Sequence, residues 1–315
     1  MYSAGIDFGG SSTKLALVGR DGRVHAFRRV AGAPGGDLDR VFAAVRETLA
    51  AMAAEVSLEF PPPGGAGIGV AGIVDVAAGR VEITGALGME DCDLRGPAER
   101  ALGCPVAVES DSNAGALADL YFGAARGADD VIYVSWGTGI GAGLVVGKRL
   151  LRSRGKAVGE IGHSRVVLED GRRCYCGCRG CLEAEAGGAA IAARGAAVMG
   201  RQVTVLDVAL AAGNDPACVA ILEQAAACLA RGLSPAIVLL NTQAVVLGGG
   251  VSRVLERLEA RRAFDGELER SLPLFARRTL TVSLSAFGDR AGAVGAALLP
   301  RHLGGEEPGH GERGC

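Results

Sequence analysis

The sequence predicts an α/β fold built as two related lobes with a central cleft, and a repeated pattern is the main reason. Residues 3–8 read as a short apolar strand running into Gly9-Gly10-Ser11. A second strand follows at 14–18, Asp21-Gly22 supplies a hairpin turn, and 23–27 reads as a third strand. The same order returns 128 residues later: a strand at 131–135, the loop Gly137-Thr138-Gly139, a strand at 142–146, the turn Gly147-Lys148 and a strand at 149–151. Strand and helix patterns alternate through much of the remainder, as in an α/β domain. Composition agrees: 49% of the chain is hydrophobic but only 4% aromatic, and 50 of its 315 residues are Gly. Small side chains must fill the core, with many tight turns between elements.

In both copies the Gly-rich loop joins two antiparallel strands. In P-loop and dinucleotide-binding folds the glycines instead open a helix, so the pattern argues against both. Strand–loop–strand still leaves a row of backbone N–H groups able to hold an anion, and a phosphate chain can lie across the two loops in the cleft.

Asp37 is placed to cap a helix over 38–54, where Leu38, Val41, Phe42, Val45, Leu49 and Met52 keep helical spacing. Pro61-Pro62-Pro63-Gly64-Gly65 is a turn. Residues 67–70 form a buried strand that continues into Ala71-Gly72-Ile73, followed by a strand at 81–84, a short helix at 94–102 and a strand at 106–109. Ser110-Asp111-Ser112-Asn113 then leads into a helical run at 114–125. Asp111 thus sits at a strand end and a helix start, where the helix dipole favours an ionised carboxylate. The same place also suits a simple N-cap by Asp111 or Ser112.

Residues 187–232 are Ala-rich and helical, broken at Gly213-Asn214-Asp215-Pro216. A strand at 244–247 meets Gly248-Gly249-Gly250 and a helix over 252–262, an arrangement in which a helix N-terminus approaches a nucleotide. A strand at 280–285, Gly288-Asp289-Arg290-Ala291-Gly292 and a helix over 293–299 complete the pattern. The expected division is a small lobe at 1–115, with the helical stretch 291–303 packing back on it, a large lobe at 116–290, and a disordered tail at 304–315.

A net charge of −2 gives no reason to expect nucleic acid. One local exception runs over 148–179, with nine Lys or Arg against three acids. It reads as a solvated basic face or as a site for an anionic phosphate donor. The N-terminus lacks the basic and apolar regions of a signal peptide, and no apolar run reaches membrane-spanning length. Nine cysteines, four of them in one short segment, fit a reducing cytoplasm better than a disulfide framework.

That segment is the densest chemical signal in the chain. Gly159-Glu160-Ile161-Gly162-His163 is followed by Cys174-Tyr175-Cys176-Gly177-Cys178-Arg179-Gly180-Cys181-Leu182-Glu183. Thiols this close, separated by Gly-containing turns, read as zinc ligands, with a disulfide pair or a redox centre as the alternatives. His163, Cys174, Cys176 and Cys181 supply one His and three Cys; Cys178 is a spare, and either it or a neighbour is the non-ligand. A structural zinc here would fix the flanking carboxylates Glu160 and Glu183, a platform for a polyhydroxylated ligand.

Taken together, these motifs resemble the ROK family of sugar kinases and sugar-responsive repressors, within the actin-like ATPase (ribonuclease H-like) superfamily. The resemblance spans residues 4–300 and is carried by Gly159–His163 joined to Cys174–Glu183, by Gly137-Thr138-Gly139-Ile140-Gly141, and by the remaining Gly turns. It implies ATP and Mg2+ beside a structural Zn2+, and a sugar or cyclitol acceptor. It implies Asp111 as catalytic base and Asp7 as the carboxylate near magnesium. Gly9, Gly10, Ser11, Thr138 and Gly139 would hold phosphates, and Gly248, Gly249 and Gly250 the adenosine. Gly72, Ser110, Asp111, Glu160, His163 and Glu183 would contact the sugar, His163 also ligating zinc. Phosphoryl transfer needs mainly positioning, charge stabilisation and an acceptor for the hydroxyl proton, so the set is coherent. A homodimer is expected on the same ground.

The chain departs from the family pattern in three places. Ser110 stands where Asn usually precedes the base, Gly85-Ala86-Leu87 replaces Pro-Asn-Leu, and Ser11 replaces Thr. Two of the three fall on the acceptor side, which suggests a modified hexose, amino sugar or cyclitol. The competing expectation is a non-catalytic sugar sensor related to the repressors. Those carry a winged helix before the first strand, and here that strand starts within a few residues of Met1.

Overall fold

Burial runs unbroken along β1 (Tyr2–Phe8), which marks it as the middle of a sheet rather than an edge. The computed structural model describes residues 1–10, 12–31, 36–84 and 87–304. After β1 come β2 (Ser12–Gly19), β3 (Val24–Ala31), α1 (Leu38–Glu55), β4 (Ala66–Val70), β5 (Ile73–Asp75), β6 (Arg80–Thr84), β7 (Met89–Asp93), α2 (Arg95–Leu102), β8 (Val106–Ser110) and α3 (Asp111–Phe122). The main sheet has the order β3-β2-β1-β4-β8, with the β1–β2–β3 pairings antiparallel and β1–β4–β8 parallel. Asp37 caps α1 by accepting from the Asp39 N–H at 3.0 Å, and the buried face of the helix is Phe42, Val45, Leu49, Met52 and Ala53. Phe42 meets Phe8 with ring centroids 5.7 Å apart, joining helix to sheet.

The second set of elements is β9 (Val131–Trp136), β10 (Ile140–Val146), β11 (Arg149–Leu150), α4 (Leu182–Ala186), α5 (Gly188–Met199), α6 (Val205–Ala211), α7 (Pro216–Leu240), β12 (Ala244–Gly248), α8 (Leu258–Ser271), α9 (Leu274–Thr279) and β13 (Thr281–Leu284). Its sheet order is β11-β10-β9-β12-β13, with β9–β10 antiparallel and β9–β12–β13 parallel. The two sheets therefore share strand order and strand direction, so the duplication expected from the repeated hairpins extends to the fourth and fifth strands. In the shared register Asp7 lies opposite Gly69, and its counterpart Ser135 lies opposite Gly248.

Contacts divide the chain into two units. The first is Met1–Gly127, Arg152–Ala157 and the stretch from Arg290 onward; the second is Ala128–Leu151 with Val158–Asp289. Each has its own core, one around Phe8, Leu15, Phe42 and Ile68, the other around Trp136, Leu182, Leu229 and Phe264. By length and composition α7 could cross a membrane, but Ile221, Leu222, Ala225, Leu229 and Leu233 are buried in the second core.

The first unit is completed by α10 (Ala291–Ala296) and α11 (Leu299–Leu303), near the far end of the chain. Here glycine is required by proximity. A Cβ on Gly67 would lie 1.9 Å from the Ala296 carbonyl oxygen, and one on Gly295 would lie 1.6 Å from that of Ala114. Both obstacles are backbone, so neither can swing aside. Gly295→Ala is expected to destabilise the protein by about 2–3 kcal/mol, the upper end for overpacking, read by denaturant unfolding.

Three boundaries differ from the sequence expectation. α3 starts at Asp111, because Ser110 takes the capping role. Gly250 is followed by a 3-10 turn, Ser252–Glu256; Arg257 is extended, and α8 begins only at Leu258, so no long helix opens at the Gly turn. α7 runs on to Leu240, where Asn241 adopts the left-handed conformation that ends it. The expected tail beyond residue 304 lies outside the described residues.

Candidate active site and metal centre

In the first unit, Asp7, Gly69 and Glu109 stand in register across β1, β4 and β8. Asp7 is 5% exposed, and Lys14, its partner across β2, places Nζ 3.0 Å from Oδ2. Burial pushes the Asp7 carboxyl above its ordinary range; the Lys14 charge opposes this and Asp111 adds to it. Gly292 leaves room at the carboxylate, since a Cβ there would come 2.7 Å from Oδ2. Gly9 and Gly10 form the β1–β2 loop, with the Gly9 N–H closing onto the Ser12 carbonyl at 3.1 Å. Ser11 and Gly85-Ala86 lie outside the described residues.

Asp111 is the first residue of α3. The capping acceptor is the Ser110 hydroxyl, which receives the Asn113 N–H at 3.2 Å. Asp111 and Ser112 are thus not the cap, contrary to the simpler sequence reading. Asp111 Oδ1 instead accepts from the Ser112 N–H at 2.7 Å and hydroxyl at 3.2 Å. Gly72, at φ +131°, lies against β6, where a Cβ would meet the Ile83 carbonyl at 2.4 Å.

In the second unit the Gly-rich loop is held from behind by the α4–α5 junction. Trp136 Nε1 donates to the Ala186 carbonyl at 2.8 Å, and the Gly137 and Thr138 carbonyls accept from Gly188 and Ala189 at 2.9 and 3.1 Å. Glu183 Oε2 accepts the Ile140 N–H at 2.8 Å, and a Cβ on Gly139 would lie 2.2 Å from that oxygen. The Glu183 carboxylate, two residues beyond Cys181, is therefore held against the loop. Gly249, at φ +81°, lies against the same loop: a Cβ would meet the Trp136 carbonyl at 2.4 Å, and the Val251 N–H donates to that carbonyl at 3.0 Å. The Gly248–Gly250 turn and the Gly137–Gly139 loop are thus neighbours, with Gly250 and Thr138 exposed.

His163, Cys174, Cys176 and Cys181 converge, their ligand atoms all within 4.8 Å of one another. A tetrahedral zinc with Zn–S near 2.3 Å and Zn–N near 2.05 Å would require S···S edges of about 3.8 Å and S···N edges of about 3.6 Å. Cys176 and Cys181 place their sulfurs 3.6 Å apart, and Cys174 Sγ lies 3.5 Å from His163 Nδ1. The donor set fits zinc through Nδ1. Cys178 is outside the cluster; its carbonyl accepts the Cys174 N–H at 2.9 Å and closes the knuckle. The Cys178 N–H, with the neighbouring thiols, brings the Cys176 thiol down to about 7, while burial pushes Cys181 up to about 12. A lowered thiol pKa favours the thiolate, the form a metal binds.

Sequence reasoning placed Glu160 beside this centre but missed its other supports, Tyr175 and Glu185. Tyr175 OH lies 3.0 Å from His163 Nε2, with the rings edge-on at 5.0 Å, and Glu160 Oε2 is 3.8 Å from the same nitrogen. A ligating His is held in its tautomer by what its other nitrogen meets. Tyr175→Phe is expected to weaken zinc retention by about tenfold in a chelator competition, with the fold intact. Buried Glu185 receives the Arg172 backbone N–H at 2.6 Å and its guanidinium, tying the knuckle loop to α4. Its only sequence signal was an acid two residues beyond Glu183. Of the basic run, Lys148 pairs with Asp129, Arg152 with Glu109, Lys156 with Asp75 and Glu82, and Arg172 with Glu185. Much of that charge is spent within the protein.

The ROK family signature matches residues 3–302. A glucokinase of Thermotoga maritima is 30% identical over 96% of this chain and 98% of its own. The structure of a ROK glucokinase from Streptomyces griseus with glucose and AMPPNP superimposes with a TM-score of 0.81 at 31% identity, covering 96% of this chain and all of that one. A xylose repressor of Bacillus subtilis is 32% identical over 188 residues, which cover 59% of this chain and 48% of the repressor. The fold is the α/β actin-like ATPase fold. This chain belongs to the ROK family.

Proposed function

We propose that the chain is an ATP-dependent sugar kinase that phosphorylates a primary hydroxyl of a hexose or hexose-like acceptor. The observation that carries this reading is the placement of Asp111. Its carboxylate is at the first turn of α3, is not used as the helix cap, and acts electrostatically on buried Asp7, the partner of Lys14. A carboxylate so placed can take the acceptor hydroxyl proton as the oxygen attacks the γ-phosphoryl group. Asp7 is assigned to Mg2+, which would offset charge on the phosphates. The Gly9-Gly10-Ser11 and Thr138-Gly139 loops are assigned to the phosphates, and Gly248, Gly249 and Gly250 to the adenosine. Gly72, Ser110, Glu160, His163 and Glu183 are assigned to the sugar.

A zinc ion on His163, Cys174, Cys176 and Cys181 would supply fixed charge and geometry. The chain itself holds His163 by Nδ1 on the metal side and leaves Nε2 facing Tyr175 and Glu160, where a hydroxyl can replace the tyrosine. Glu183 donates no proton of its own when ionised; it accepts from Ile140 through one oxygen and can accept a sugar hydroxyl through the other. The Ser110 hydroxyl, as cap acceptor, contacts a sugar less directly than a longer amide would, which favours acceptors other than plain glucose.

The repressor relative supports a second reading, a sugar-binding sensor. ADP release measured over glucose, mannose, N-acetylated and amino hexoses and cyclitols separates the two. Turnover with one of them supports the kinase; tight sugar binding with no ADP release from any supports the sensor. Cytoplasmic placement and a homodimer belong to the same proposal.

A further inference from the structure

The best-connected charged group around the Asp111 turn has no part in the chemistry above. Glu109 is 2% exposed near the end of β8. Its Oε1 accepts the Ser110 N–H at 2.9 Å and Asn113 Nδ2 at 3.1 Å, and its Oε2 accepts Arg152 Nη2 at 2.7 Å. Both oxygens are engaged, and the two local donors, Ser110 and Asn113, bracket Asp111. The Glu109 carboxylate therefore ties together the two residues that bracket Asp111 at the start of α3. Arg152 supplies the counter-charge to this buried carboxylate and fixes its second oxygen.

Arg152 is not local to this turn. It arrives 43 residues later, on the segment Arg152–Ala157, which interrupts the second unit to pack with the first. The far end of the segment is pinned as well. Lys156 pairs with Asp75 at 2.6 Å and also with Glu82, and holds a left-handed backbone at φ +58° that a side chain rarely adopts. The strap is thus attached at both ends. The Arg152 side chain is 40% exposed, so it contributes charge to this arrangement more than packing.

We infer that Arg152 is a positioning residue for the reaction: through Glu109 it fixes the strand-to-helix turn that aims Asp111. This rests on the assignment of Asp111 as the base. A displacement of about 1 Å in such a group can cost as much as 100-fold in rate.

The test uses the full chain with MgATP and whichever hexose gives the fastest ADP release. Arg152→Ala is expected to lower kcat about 10- to 50-fold with both KM values within about threefold of wild type, assayed at a temperature where circular dichroism shows the variant fully folded. Arg152→Lys should lie between the two, and millimolar guanidinium should restore part of the Arg152→Ala rate. A kcat within twofold of wild type overturns the inference. So does a loss of rate that follows a lowered melting temperature and does not respond to guanidinium. Asp111→Asn is assayed alongside. If it turns over normally, the base assignment fails whatever Arg152 does; if it is inactive while Arg152→Ala is normal, only the role of Arg152 fails.

Discussion

Asp111→Asn is expected to lower kcat by about 10³-fold, within the range that general-base catalysis contributes, while the KM for sugar and for ATP changes by less than about fivefold. The split between the two parameters follows from geometry. Asn keeps the shape of the carboxylate and can still accept the Ser112 N–H, so the start of α3 should hold its place. What disappears is the ability to take a proton. Binding groups elsewhere are untouched, so the substrates should still assemble. Steady-state kinetics on the purified variant, with circular dichroism to confirm the fold, checks this; near-normal turnover would remove Asp111 from the chemistry.

Loss of the metal is expected to have the second largest effect. Cys176→Ala, or prolonged chelation of the wild type, should release zinc from about one ion per chain and lower kcat/KM about 10- to 100-fold, mainly through the KM for sugar. Cys176 is the informative position because it is exposed. Replacing it leaves no cavity, so the consequence reports on the metal rather than on packing. Cys178→Ala is the matched control: that thiol lies outside the cluster, and the variant should keep both zinc and activity. Elemental analysis and sugar titration read the two together. An active, zinc-free protein would overturn the metal assignment.

The parts of this protein that were legible in the sequence are those with short-range causes. Helix α1 is announced by Asp37 and by apolar residues at helical spacing, and the two Gly-rich hairpins by their turns. The thiols of the knuckle lie within eight residues of one another, so their convergence is nearly local; only His163 had to be brought in. The unread parts depend on partners far along the chain. Nothing near Glu109 reveals that it will be buried, because its counter-charge is Arg152. Ser110, Asp111 and Ser112 are all competent caps, and only the backbone of Ser110, extended at φ −66° and ψ 148°, decides among them. The helix expected after Gly250 fails at Arg257, whose extended backbone no local pattern marks.

The close seating of α10 bears on how the protein is made. Gly5 and Gly67, on β1 and β4, are sites where this late helix meets strands synthesised long before it. While a ribosome is still producing the second unit, the first sheet has an uncovered apolar face awaiting residues 291–303. Domains finished in one pass can settle as they emerge, but this one has to wait for its lid. Chaperone demand should accordingly be greater for released chains truncated just before Arg290 than for chains that include α10 and α11.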